Sequence, residues 1–150
     1  MLFLIRNNKI FELQELPVLD KDVIMIEATD EQVNNVNEYG LIYYTYKNKK
    51  VVENPDYEKE KEEERKEYIN SLSCTKRVLA LAIKEFGITY TQLKTLIDSD
   101  EDAQLEWDLC VELQRSNPLL DQFGDKLGIT PEQIDNIFLY ANGDIESLGA

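Results

Sequence analysis

Short apolar runs separated by turn residues characterise the start of the chain. Three such runs, aliphatic or aromatic in composition, occupy residues 2–5, 10–13 and 23–26. Runs of this length and composition are typical of β-strands. The polar sequence Asn7-Asn8-Lys9 separates the first two runs as a hairpin turn would. The pattern therefore predicts a β-hairpin followed by a third strand.

A helix signal follows the third predicted strand. Thr29 and Gln32 have the T-x-x-Q spacing of a capping box, and Gly40 stands where a left-handed cap would end the helix. Apolar residues at 41–46 and 51–52 then predict a second hairpin. Residues 1–53 are therefore expected to form a small hairpin-rich α+β module in the order ββ-β-α-ββ.

The next segment, residues 54–72, is dominated by charge. Asn54-Pro55 is typical of a helix start, and eleven of the twelve residues from 56 to 67 are charged. A solvated linker helix of roughly 16 residues fits this composition. An oligomerising coiled coil is disfavoured, because the segment lacks apolar residues at a and d spacing.

From residue 73 onward the pattern is helical, and residues 73–150 are expected to form a bundle of about five short helices. The first is predicted to end at Phe86 before Gly87, the second at Asp98 and the third at about Arg115. Their predicted starts are Ser73, Thr89, Ser99 or Asp100, Asn117-Pro118 and Thr130-Pro131. The fold class predicted for the whole chain is α+β.

A weak internal repeat lies within the predicted bundle. Residues 86–93 match residues 127–134 at an offset of 41, each copy pairing a glycine with an isoleucine and a threonine. This corner resembles the turn of helix-turn-helix proteins. Residues 73–150 contain six basic and fourteen acidic residues, which would repel DNA. The repeat is therefore interpreted as a structural corner between helices.

Charge and composition exclude several classes of function. The net charge of −14 argues against binding to free nucleic acid or anionic membranes and favours basic protein surfaces. The chain contains no histidine, so a histidine general base and an imidazole metal ligand are both excluded. It also has no glycine-rich phosphate loop and no nucleophile elbow. We therefore expect a non-enzymatic protein with no catalytic residues and no cofactor.

The strongest functional signal is a run of acids between residues 97 and 115, a stretch with no basic residue. On one long helix, Glu101, Asp108 and Glu112 would share a narrow arc, while apolar residues would bury the other sides. Such an acidic ridge can imitate a phosphate backbone and occupy a basic groove. The predicted partner-binding residues are Glu101, Asp102, Glu106, Asp108 and Glu112.

Two alternatives remain open for this run of acids. In the first, the acidic side chains are simply solvated. In the second, they form ion pairs within the protein with Lys76, Arg77 and Lys84, which share one face of the helix predicted from Ser73. The opening of the run also copies the D-x-D-x-D start of an EF-hand loop. The copy fails at Ala103 and Leu109, where the loop needs a glycine and a glutamate. No metal site is therefore predicted.

The cysteines and the N-terminal sequence indicate the cellular compartment of the protein. Cys74 and Cys110 are too few for a disulfide scaffold and are predicted to be buried free thiols. The apolar start breaks at Asn7-Asn8, which is too early for a signal peptide. We therefore expect a cytoplasmic protein.

A secondary contact surface is predicted on the second hairpin. Strand alternation places Tyr43, Tyr44 and Tyr46 on both faces, so that at least one is expected to be exposed to a partner. The alternative is an ordinary core with a half-buried rim.

The Asn54-Pro55-Asp56-Tyr57 junction, the charged helix and the sequence Tyr68-Ile69-Asn70-Ser71-Leu72-Ser73-Cys74-Thr75-Lys76 resemble small uncharacterised proteins of prophages in low-GC bacteria. The likeness covers mainly residues 51–80. It implies a phage-encoded accessory protein in a bacterial host cell. Acidic proteins of this kind include anti-CRISPR inhibitors and tail assembly factors. The hypothesis is that the chain binds a larger basic host protein, with a role in the phage tail as the alternative.

Overall fold

The structure of the protein is a computed structural model that describes residues 1–148. It divides into two compact units, residues 1–64 and residues from 65 onward. The division falls inside the predicted charged helix. Helices and small antiparallel sheets together make the chain an α+β protein, as its sequence predicts.

A three-stranded antiparallel sheet begins the N-terminal unit. Its strands are β1 (Leu2–Arg6), β2 (Lys9–Gln14) and β3 (Ile24–Glu27), in the order β2-β1-β3. The β1–β2 turn has positive φ at both Asn7 and Asn8, as a tight type I′ hairpin requires. The first predicted hairpin and the third strand are therefore confirmed.

The helix that follows has the predicted N-terminal cap, whereas Gly40 at its other end is not in the left-handed helical conformation that the sequence predicts, since its ψ is 170°. In α1 (Asp30–Tyr39), the Thr29 side chain accepts the Gln32 amide and the Gln32 side chain accepts the Thr29 amide. This reciprocal capping box satisfies two amides that the helix leaves unbonded. Gly40 ends the helix with φ +84°, a value that favours glycine.

The second hairpin is shorter than predicted. Its strands are β4 (Tyr44–Lys47) and β5 (Lys50–Glu53), whereas the first strand is predicted from residue 41. Leu41–Tyr43 instead form a 3₁₀ turn, in which the Tyr43 amide donates to the Gly40 carbonyl at 3.2 Å. This turn redirects the chain after α1, so strand alternation begins only at Tyr44.

The charged segment forms the helix α2 (Tyr57–Ser71), 15 residues long. The side chains from 58 to 68 are all exposed, which confirms the solvated helix predicted from the charge pattern. The unit boundary lies between Glu64 and Arg65. The first buried residue beyond it is Ile69, whose side chain begins the apolar part of the C-terminal unit.

Five helices lie between residues 76 and 141 of the C-terminal unit, as predicted. They are α3 (Lys76–Glu85), α4 (Tyr90–Asp98), α5 (Glu101–Leu109), α6 (Pro118–Leu127) and α7 (Pro131–Ala141). Each contributes at least two residues to one apolar core, and Leu93, Ile97, Ile137 and Phe138 are almost completely buried in it. The unit also contains a two-stranded sheet that the sequence pattern does not predict.

This sheet pairs β6 (Ser73–Thr75) with β7 (Glu112–Gln114), and Cys74 lies opposite Leu113. Because of this sheet, one predicted helix start and one predicted helix end are wrong. Ser73 is a strand residue, and the cap of α3 is Thr75, whose side chain accepts the Val78 amide at 3.3 Å. The helix predicted to reach residue 115 ends at Leu109, because the backbone beyond it bonds to β6.

The internal repeat corresponds to two similar corners, as predicted. Each has a glycine with positive φ, a buried isoleucine and a threonine that forms a capping box: Gly87, Ile88 and Thr89 in the first, Gly128, Ile129 and Thr130 in the second. The glycine permits the chain reversal, and the isoleucine fills the space beneath the corner. The corners thus have a structural role in the fold.

Arg115, which the sequence pattern predicts only as a helix end, is a buried cation. Its side chain is 7% exposed, and Nε donates to Asp135 Oδ1 at 2.5 Å while Nη2 lies 3.1 Å from Asp121 Oδ1. The Pro131 carbonyl accepts a further hydrogen bond from Nη2 at 3.5 Å. Arg115 therefore connects the end of β7 to both α6 and α7.

Candidate functional site

The predicted acidic ridge is divided between two elements. Glu101 and Asp108 lie on α5, but Glu112 lies on β7, so the single arc predicted for these three residues is wrong. On a continued helix, Leu113 would lie about 100° away from the inward-facing side of α5. As a strand residue it is 5% exposed. Burial of Leu113 therefore favours the strand over further helical turns.

The helix α5 is also less buried than predicted. Only Ala103 and Trp107 are buried, which defines one inward side. Leu105 and Leu109 are both exposed and lie on the opposite side. The prediction that apolar residues bury this helix on several sides is therefore wrong.

The carboxylates of α5 lie along two edges of its outward face. At 100° per residue, Glu101 and Asp108 share one edge, and Asp102 and Glu106 share the other. All four side chains are exposed, as is Glu112 on β7. All five predicted partner-binding residues are thus accessible, but they do not form one ridge.

Three of these acids lie around one open depression in the C-terminal unit. Asp102, Glu106 and Glu112 line it together with Gln114 and residues 116–119, and its volume is about 620 Å³. We call this feature the acidic depression. Glu101 and Asp108 do not line it, because they occupy the other edge of α5.

The carboxylates are only lightly engaged within the unit. Asn117 Nδ2 donates to Glu106 Oε1 at 3.0 Å, Ser73 Oγ donates to Glu112 Oε2 at 3.0 Å, and Lys94 Nζ lies 4.0 Å from Asp108 Oδ1. Neutral donors orient a carboxylate without cancelling its charge. The two acids of the depression that accept these bonds, Glu106 and Glu112, therefore keep their negative charge for a partner.

Lys76 and Lys94 both contact α5, but each binds mainly a group other than the carboxylates of this helix. Lys94 Nζ donates to Asp98 at 2.8 Å, and this hydrogen bond raises the pKa of Lys94. Lys76 Nζ donates to the Trp107 carbonyl at 2.6 Å and lies 5.9 Å from the centre of the Trp107 ring. Lys76 thus stabilises the negative end of α5, where free carbonyls gather, and does not neutralise its carboxylates.

The EF-hand-like sequence serves as a helix start. The Asp100 side chain accepts the Ala103 amide at 3.0 Å and caps α5, while Glu101 and Asp102 lie in its first turn. Carboxylates are stabilised at this position by the positive end of the helix dipole. Across residues 1–148, no group of three or more metal-ligating side chains is placed to hold a metal ion.

The three predicted contact tyrosines belong to the apolar part of the N-terminal unit. Tyr44 is buried, and the Asn35 side chain donates to its hydroxyl at 2.9 Å. Tyr43 and Tyr46 are half-buried and pack against the same cluster. The arrangement is a core residue with a half-buried rim, and the expected strand alternation fails at Tyr43 because this residue lies in the 3₁₀ turn.

An aromatic cluster that the sequence pattern does not predict surrounds Tyr43. Its ring stacks on Tyr39 with centroids 5.0 Å apart and meets Tyr57 edge-on at 5.1 Å. The Tyr57 hydroxyl donates to the Tyr39 carbonyl at 3.3 Å. Tyr57 is the first residue of α2, which begins two positions later than the Asn54-Pro55 start that the sequence predicts, so the only signal for this contact is an aromatic residue inside a run of charges.

The thiols differ in accessibility. Cys74 is buried, as predicted, and burial raises its pKa to about 12. Cys110 is only half-buried, which corrects its predicted burial, and desolvation also raises its pKa. Neither cysteine forms a disulfide.

We expect alkylating reagents at about pH 8 to modify Cys110 first. At that pH roughly one Cys74 side chain in ten thousand is a thiolate, and the thiolate is the reactive form. Mass spectrometry should find one rapid modification in the folded protein and a second only in denaturant. The Cys110→Ser variant should lose the rapid step, and rapid labelling of Cys74 in that variant would contradict the buried position.

Among residues 1–148, no helix has the length and apolar character needed to cross a lipid bilayer.

Comparison with protein-family models, with curated proteins and with solved structures finds no match for this chain.

Proposed function

We propose that the protein is a non-enzymatic binding protein that acts in the cytoplasm of a bacterial host. Its acidic surface, formed by Glu101, Asp102, Glu106, Asp108 and Glu112, occupies a basic nucleic-acid-binding surface of a larger host protein. An anti-CRISPR-type inhibitor of a nuclease effector would act in this way. The origin in a phage or prophage is part of this proposal.

The acidic depression is the observation that carries the proposal. Asp102, Glu106 and Glu112 converge there from a helix and a strand that share one apolar core. The scaffold fixes the backbone that carries them, and Glu106 and Glu112 are also oriented by hydrogen bonds from Asn117 and Ser73, so less conformational entropy is lost when a cationic surface meets them. The excess of acids in residues 73–150 also accelerates encounters with a basic partner.

The alternative role in phage tail assembly depends on exposed aromatic residues of the second hairpin. Tyr44 is buried and Tyr43 and Tyr46 are half-buried, so this surface offers little aromatic area to a partner. The burial pattern therefore favours the acidic surface as the main contact. Light scattering offers a separate test, since a stable multimer would support the assembly role.

The proposal is tested by capture from a host lysate at low and high salt. We expect the protein to retain a nucleic-acid-binding protein at low salt and to release it as salt screens the charges. The triple variant Asp102→Lys, Glu106→Lys, Glu112→Lys should bind at least about tenfold more weakly.

The matched control reverses three exposed acids elsewhere in the same unit, Glu85, Asp125 and Glu146, and so changes the net charge equally. Its binding should decrease far less. Equal losses in the two triple variants would indicate a nonspecific effect of net charge. Unchanged binding of the first variant would refute the proposed surface.

A further inference from the structure

The outward face of α5 exposes large apolar side chains. Leu105 is 52% exposed, Leu109 is 80% exposed, and Val111, just beyond the helix, is 80% exposed. Leu105 and Leu109 are four positions apart, so they lie one above the other on the helix surface. Exposed apolar residues that adjoin one another in this way commonly mark an interaction site.

The same face is bordered by carboxylates on both sides. Leu105 lies directly opposite the inward side of α5, with Glu101 and Asp108 along one edge and Asp102 and Glu106 along the other. The result is an apolar centre with an acidic rim. Protein interfaces commonly have this organisation, in which a dry centre is surrounded by polar residues.

We propose that this face binds an amphipathic cationic segment of the partner, with two apolar side chains one helical turn apart and lysine or arginine on either side. The inference rests on the proposed function and specifies the chemistry of its partner. The apolar pair would cover Leu105 and Leu109, and the flanking cations would meet the two acidic edges. Recognition of amphipathic helices by apolar grooves uses the same spacing of anchors.

Charge complementarity selects this occupant over the other candidates. A second copy of the chain would bring its own carboxylates against Glu101, Asp102, Glu106 and Asp108, and like charges at an interface are unfavourable. An anionic lipid surface or a nucleic acid would be repelled for the same reason. A cationic partner avoids this repulsion and, unlike an uncharged one, is also attracted by the carboxylates on both edges of the face.

The test uses the full chain and two synthetic peptides of identical lysine and leucine content. In the first peptide, leucines at helical spacing form one apolar face; in the second, they are scrambled. At near-physiological salt, about 0.15 M, fluorescence anisotropy should show more than about tenfold tighter binding of the amphipathic peptide, because only this peptide buries its leucines against α5.

The double variant Leu105→Ser, Leu109→Ser should lose this preference while its salt-dependent binding to oligolysine persists. A matched control, Leu81→Ser with Leu16→Ser, changes two other exposed leucines and should keep the preference. Since all four leucines are exposed, we expect both variants to remain folded, which Trp107 fluorescence can verify for the C-terminal unit and circular dichroism for the chain as a whole.

Equal affinity for the two peptides, or a preference that survives the Leu105 and Leu109 changes, would overturn the inference. In that case the proposed function still stands if reversal of Asp102, Glu106 and Glu112 weakens capture from the lysate. A wild-type dimer that becomes monomeric in the leucine variant would assign the face to a second copy and would also overturn it.

Discussion

Replacement of Arg115 by alanine is expected to destabilise the C-terminal unit by about 3 kcal/mol. The guanidinium group is buried and joins Asp121 and Asp135 to the end of β7. Its removal leaves Asp135 without its cation and opens space beside α7. The expected loss lies at the low end for buried ion pairs, because both aspartates retain contact with solvent.

Urea denaturation followed by Trp107 fluorescence measures this loss, since Trp107 is the only tryptophan and is buried in the C-terminal unit. The exposed Arg77 provides the matched control, and Arg77→Ala should change stability by less than about 0.5 kcal/mol. Arg115→Lys should be intermediate, because lysine keeps the charge but lacks the planar fork of donors. Equal stability of Arg115→Ala and the wild type would contradict a structural role for this cation.

Gly124→Ala is expected to destabilise the same unit by about 2 kcal/mol. A Cβ atom at this position of α6 would lie 2.7 Å from Ile134 Cδ1 and 2.8 Å from the Ile129 carbonyl oxygen. The Ile134 side chain can rotate, but the Ile129 carbonyl belongs to the backbone of the second corner. Overpacking costs up to about 3 kcal/mol, of which the helix propensity of alanine offsets about 1 kcal/mol.

The neighbouring variant Asp125→Ala is the control, because Asp125 is exposed on the same helix. It should leave the denaturation midpoint nearly unchanged, while Gly124→Ala lowers it without changing the slope. A stabilised Gly124→Ala variant would show that helix propensity dominates and that α6 and α7 are less closely packed than the distances indicate.

Local signals predict most of the helix starts. The capping boxes at Thr29, Thr89 and Thr130 each depend on residues three positions apart, so the sequence contains the whole interaction. The Asn7-Asn8 turn is local in the same sense. These elements could be predicted because no distant part of the chain is needed to form them.

The β6–β7 sheet could not be predicted in the same way. Each strand has three residues, and the paired Cys74 and Leu113 are separated by 39 positions. Such short segments carry almost no periodicity, and their hydrogen bonds depend on long-range contacts. The missed sheet explains the misplaced Glu112, since a helical pattern through residues 101–112 is plausible only if the chain does not turn at Cys110.

The sequence predicts which acids the candidate site contains, but not how the structure arranges them. Asp102, Glu106 and the other predicted acids are exposed, as their charge suggests, because the free-energy cost of burying an unpaired carboxylate is high. The sequence does not predict the exposure of Leu105 and Leu109, since an apolar residue on a helix usually indicates a buried side. Only the packing of Ala103 and Trp107 reveals which side of α5 faces inward.

Competition with nucleic acid for the captured host protein tests the central claim most directly. A labelled duplex bound to that partner is titrated with the protein, and anisotropy follows its release. We predict complete displacement by the wild type, a midpoint that rises with salt, and little displacement by the Asp102→Lys, Glu106→Lys, Glu112→Lys variant. A stable ternary complex of partner, duplex and protein would contradict the proposal that the acidic surface occupies the nucleic-acid-binding site.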